Sequence, residues 1–111
     1  MVFGIVLAGR AFAVEAPKAE ETKPVHNINL TIKNHLFDQN NIEAPANEKF
    51  TITVMNKDET PEEFESKDMR REKIVPANGT VVVNVGPLKP GVYKFFGEYH
   101  EDTAKGIITV K

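Results

Sequence analysis

His100 lies in the run Glu98-Tyr99-His100-Glu101-Asp102, which sets one imidazole among three carboxylates. A neutral imidazole with oxygen donors beside it suits Cu(II), Fe or Zn. The same run also fits a loop histidine that hydrogen-bonds a carboxylate and steadies a turn. Glu63 and Glu65 are two residues apart, so an extended backbone puts both carboxylates on one side. Together they would ligate a hard cation. The other reading pairs them with Arg70, Arg71 or Lys73, worth roughly 0–1 kcal/mol if exposed. Met69 offers a thioether that accepts either copper oxidation state, and Met is also a common core filler. His35 ends an alternating segment, where it either reaches a metal site or simply terminates a strand. His26 is read as solvated. With no cysteine in the chain, thiolate sites, disulfides and iron–sulfur clusters are excluded.

These side chains need a scaffold, and the sequence describes a β one. Ile28, Leu30 and Ile32 alternate with polar residues, as do Phe50, Ile52 and Val54. Residues 80–85 form another strand, opened by the Asn78-Gly79 turn. Tyr93, Phe95 and Gly97 face one way and Lys94, Phe96 and Glu98 the other, and residues 106–111 close the chain. Pro90-Gly91 predicts a type II turn. The best helical segment is 65–71, two turns at most. About seven short strands with at most one short helix fit an all-β Greek-key β-sandwich.

The chain has 111 residues, 41% hydrophobic and 27% charged, enough for one small domain. A net charge of −2 gives no basic field for nucleic acid. Residues 2–9 are apolar, too short a run to cross a bilayer, and Ala11-Phe12-Ala13 has the small-x-small form of a signal-peptidase site. Residues 1–13 are therefore expected to be a signal peptide. The missing basic segment before it points to a start upstream of Met1 or a trimmed chain. The other reading is a short buried element of the domain. Residues 14–25 have the composition of a flexible leader, and residues 26–111 would be the folded domain. With no cysteine to acylate, a soluble periplasmic protein without membrane insertion after cleavage is expected. The acidic density at 58–68 and 98–102 would collect cations, dock a basic partner or simply be solvated. No nucleophile–base order, phosphate-cradling loop or metal-hydrolase motif is present, so no enzyme is expected.

Several stretches carry a resemblance. They are the turn at 42–47 into Phe-Thr-Ile-Thr-Val-Met-Asn, Pro-Leu-Lys-Pro-Gly-Val-Tyr-Lys-Phe, Gly-Ile-Ile-Thr-Val, Glu62-Glu63-Phe64-Glu65-Ser66, Arg71-Glu72-Lys73 and residues 95–104. Over residues 27–111 the chain resembles EfeO-type cupredoxin-like domains of exported bacterial proteins. That resemblance implies a cupredoxin-like sandwich and a role in periplasmic iron and copper handling, with a membrane metal permease or another periplasmic protein as partner. It places His100 at the second histidine ligand, Gly97 at the cysteine and Ala104 at the methionine. The first histidine falls at Glu62 or Glu63, and the Glu63-Phe64-Glu65 pattern favours Glu63. Without the thiolate of a His2Cys plane, blue-copper electron transfer is not expected.

The expectation is a copper-binding protein, with iron as the other candidate, whose site holds Glu63 and His100, completed by Met69, Glu98 or His35. A metal-free structural or docking module that kept the scaffold and lost the site is the other reading.

Overall fold

The computed structural model describes residues 24–111; the expected signal peptide and most of the leader lie outside the described residues. The strands are β1 (His26–Lys33), β2 (Leu36–Phe37), β3 (Asn41–Ala44), β4 (Phe50–Asn56), β5 (Glu62–Ser66), β6 (Arg71–Val75), β7 (Thr80–Val85), β8 (Gly91–Gly97) and β9 (Lys105–Val110). One 3₁₀ turn, Glu98–His100, follows β8. The strands form two sheets, ordered β2-β1-β4-β7 and β3-β9-β8-β5-β6. No helix among the described residues is long and apolar enough to cross a membrane.

The alternation of the sequence becomes the core between these sheets. Ile28, Leu30, Ile52, Val54 and Val83 of one sheet pack in one cluster with Phe64, Val75, Phe95 and Ile108 of the other. The Phe64 and Phe95 rings stack with centres 5.8 Å apart, and Phe37 meets Phe95 edge-on at 5.1 Å. Full burial of such a side chain stabilises the fold by about 1.5–3 kcal/mol.

The parallel pairing of β1 with β4 runs from His26↔Phe50 to Ile32↔Asn56. It leaves exposed His26 at one end of the sandwich and delivers the β1–β2 turn, with His35, to the other. At the open side, Arg71 Nε donates to Asn84 O at 2.7 Å and Lys73 Nζ to Val82 O at 3.2 Å, so β6 side chains hold the β7 backbone across the two sheets.

Three local expectations are corrected. The short helix at 65–71 is instead the end of β5, a turn at 67–70 and the start of β6. There Ser66 Oγ accepts from Met69 N at 3.1 Å and donates to Lys94 O at 2.6 Å, tying the turn to β8. The strand count rises from about seven to nine, since two-residue β2 and four-residue β3 are too short for alternation to reveal. Gly91 opens β8 instead of supplying a left-handed turn position. Among the described glycines that conformation belongs to Gly86, at φ +88°, where a Cβ would stand 2.8 Å from Glu48 O.

Candidate metal centre

Phe64 fixes the register of β5. The ring is 1% exposed, and period-2 alternation then turns Glu62 and Ser66 inward with it while Glu63 and Glu65 face outward. Glu62 is therefore buried, at 3% exposure, and a buried carboxylate requires partners. Its Oε1 accepts from the backbone N–H of Tyr99 at 2.8 Å and of Glu63 at 3.0 Å. Its Oε2 lies 2.6 Å from His100 Nδ1. An ionised carboxylate has no proton to give, so Nδ1–H donates in this pair.

His100 ends the 3₁₀ turn, and its carbonyl accepts from Ala104 N at 2.8 Å and Thr103 N at 3.2 Å. Gly97 N donates to Ala104 O at 2.8 Å, closing the base of the loop. The imidazole is thus held at a fixed height above Glu62, with its side chain 28% exposed. The ring is the solvent-facing member of the pair and the carboxylate, 4% exposed, the buried one.

Gly97 and Ala104 complete the floor. A Cβ added at Gly97 would stand 2.8 Å from Glu62 Cδ, 3.0 Å from its Oε2 and 3.0 Å from Ala104 Cβ. The glutamate side chain occupies the space that a side chain at 97 would need. A blue-copper donor set therefore does not fit this chain, whereas a carboxylate–imidazole pair does.

His35 reaches the same end by a different route. Asn34 and His35 both have positive φ, +55° and +60°, and link the Lys33↔Leu36 pair as a two-residue hairpin of the I′ kind. Asn tolerates this conformation readily and His less so, and the turn is pinned from outside. Asp58 accepts from Asn34 N at 2.6 Å and from His35 N at 3.0 Å, while Thr103 Oγ1 donates to His35 O at 2.6 Å. Burial opposes the charge of Asp58. The two amides and the His35 and His100 rings outweigh it and hold the carboxyl below its usual range. Asp58 is aimed in turn by Asn56, which is buried and donates to Thr60 O, Val75 O and Pro76 O. Asn56 Oδ1 accepts from Asp58 N at 2.9 Å. The His35 ring stacks on that of His100, centres 3.5 Å apart and planes within 10°. Rings stacked so nearly parallel aim their in-plane nitrogen lone pairs along similar directions, so in this arrangement His35 buttresses the His100 ring.

The remaining expected residues lie elsewhere. Glu63 does not meet His100; Glu62 does, because the inward face of β5 is the one that carries Phe64. Glu63, Glu65 and Glu72 bring their oxygens within 4.8 Å of one another on the outer face. Glu98 joins them by a hydrogen bond with Glu65 and also lines the cleft that holds His35 and His100. Desolvation, that hydrogen bond and repulsion from Glu72, Glu98 and Glu63 push the Glu65 carboxyl up to about 7. Desolvation and Glu72 raise Glu63 as well. Arg71 and Lys73, the expected salt-bridge partners, go to β7. Met69 is 4% exposed within the core cluster, its turn tied to the opposite end of β5. The sequence signal for Glu62 was available in the two-residue step back from Phe64.

Residues 4–110 match the cupredoxin-like domain family. An uncharacterized protein of Rickettsia prowazekii is 46% identical over 83 residues, which are 75% of this chain and 66% of that one, just under two thirds of its length. Among solved structures, dithionite-reduced auracyanin from Roseiflexus castenholzii superposes with a TM-score of 0.66 at 15% identity, covering 80% of this chain and 99% of auracyanin. The metal-binding domain of the Streptococcus pneumoniae Cu(I)-exporting P-type ATPase, solved with Cu(I), gives 0.65 at 15% identity, covering 77% and 84%. The sandwich is therefore a cupredoxin fold, and the chain belongs to the cupredoxin-like domain family.

Proposed function

We propose that this protein binds a transition-metal ion, copper before iron, through Glu62 Oε2 and His100 Nδ1, and serves metal acquisition or delivery in the periplasm. The observation that carries the reading is the convergence of those two atoms to 2.6 Å at the loop end of the sandwich. His100 presents nitrogen and Glu62 oxygen, and the proton between them leaves to solvent when an ion takes its place. The two amides on Oε1 keep the carboxylate oriented, as outer partners of metal ligands do. The fold neighbours named for copper support the choice of metal. A sparse ligand set with a half-buried imidazole suits an ion that is passed on, not one held for electron transfer.

The test is calorimetric titration of residues 24–111 with Cu(II), Fe(III) and Zn(II), wild type against His100→Ala. One-to-one binding that the variant loses supports the reading. Equal binding by both would sink it. The second reading, a metal-free docking module, rests on the same geometry: Glu62 is already fully hydrogen-bonded by two amides and one imidazole. Absence of binding to any ion would favour it.

A further inference from the structure

The structure gathers only oxygen and nitrogen donors at the loop end. No cysteine exists in the chain, and of the described methionines neither reaches the site. Met69 is locked in the core beyond the far end of β5, and Met55 is exposed on β4, opposite Thr80. Sulfur is also kept out sterically. Glu62 fills the space beside Gly97, so a thiol there would have to displace the carboxylate. Ala104, fully buried, stands 3.0 Å from that same point, and a longer thioether at 104 would meet Glu62 too.

We infer that the site selects oxidised, divalent copper and discriminates against Cu(I). The inference rests on the proposed role of Glu62 and His100 as ligands. Thiolate and thioether donors select Cu(I), whereas imidazole and carboxylate suit the harder divalent ion. Glu62 sharpens the preference because its anionic charge is buried and fixed by the Tyr99 and Glu63 amides. An ion of higher charge gains more from that carboxylate than a monovalent one does. The arrangement thus departs from its Cu(I)-bound fold neighbour in the oxidation state it favours, on the same sandwich.

Competition titrations test this on residues 24–111. Cu(II) is added in air, and Cu(I) under nitrogen with acetonitrile as stabiliser. Ag(I) serves as an air-stable soft monovalent probe. The expected result is Cu(II) binding at least about 100-fold tighter than Cu(I) or Ag(I), about 2.7 kcal/mol. Glu62→Met puts a thioether of similar length in the carboxylate's place and is expected to narrow or reverse that ratio. Glu62→Gln, which keeps an acceptor for the two amides, is expected to weaken Cu(II) at least about tenfold more than it weakens Ag(I), about 1.4 kcal/mol. Circular-dichroism melts confirm that each variant is folded. Cu(I) binding as tightly as Cu(II) to the wild type overturns the selectivity and leaves the ligand assignment standing. No binding of any of the three ions overturns both.

Discussion

Gly97 and Glu62 share one volume: the carboxylate reaches His100 because position 97 has no side chain, and a Cβ there would stand 2.8 Å from Glu62 Cδ. The glycine is extended, at φ −94°, so its role is spatial and not conformational. Gly97→Ala is expected to cost about 1–3 kcal/mol by overpacking. Urea denaturation measures the loss, and an unchanged midpoint would mean that the floor of the site yields freely.

The two adjacent glutamates should behave oppositely. Glu62→Gln is expected to lower Cu(II) affinity about 10–100-fold or more, the range seen even for outer-shell partners. Glu63→Gln, changed on the opposite face of β5, should leave the isotherm within about twofold, less than 0.5 kcal/mol. If Glu63→Gln weakened binding and Glu62→Gln did not, the ion would sit on the outer face with Glu65 and Glu72.

The outer carboxylates make stability pH-dependent. Desolvation and carboxylate neighbours push Glu65 up to about 7 in the folded protein, above the ordinary 4.5 that the unfolded chain approaches. Between those values the folded state holds the extra proton, so stability is highest near the lower one and falls as pH rises through about 7. Glu65→Gln should raise stability at pH 8 by about 0.3–1 kcal/mol in low salt, in the range of cross-strand charge pairs. It should raise it little at pH 5, where neighbouring repulsion is already relieved. Melts across that window, with and without salt, check the sign.

Asp58 acts in the opposite direction. Its folded carboxyl titrates below the usual 3.8, so the stability it adds is present above that value and disappears as pH falls through the lowered one. Asp58→Asn should flatten the acid limb of the stability curve, and proton-exchange rates of the Asn34 and His35 amides should rise with it.

His35 separates backbone from ring. His35→Asn tolerates the left-handed turn and removes the stack, at a cost of about 0.5–1.5 kcal/mol. His35→Ala adds about 1–2 kcal/mol for the conformation itself. In both variants Cu(II) should still bind, more weakly, because His100 loses its steadying partner. Loss of all binding in His35→Asn would make His35 a ligand.

Much of this architecture could be read from alternation alone. Ile28-Leu30-Ile32, Phe50-Ile52-Val54 and Phe95 announce inward faces, and all of them are buried in the core. The β5–β6 hairpin was obscured because charged residues fill both outer faces and Met69 interrupts the turn with an apolar side chain. The choice of Glu63 over Glu62 as the partner of His100 had the same origin: an inward glutamate violates the rule that buried positions are apolar. Only Phe64, read as an anchor for parity, identifies Glu62. The His35–His100 stack lay beyond sequence reading, since it depends on two left-handed residues and on an aspartate 23 positions away.

The reach of Arg71 and Lys73 onto the β7 carbonyls has a consequence for life at high concentration. Unclaimed carbonyls along the rim of a sheet are a template on which a foreign strand can add, the first step towards fibrils. Here two of those acceptors, on Val82 and Asn84, are already occupied by cations. An incoming backbone would have to break charge-assisted bonds and leave two positive groups unsolvated beside it. This rim is therefore a poor template for a foreign strand, although among the described residues neither disulfide nor helix covers it.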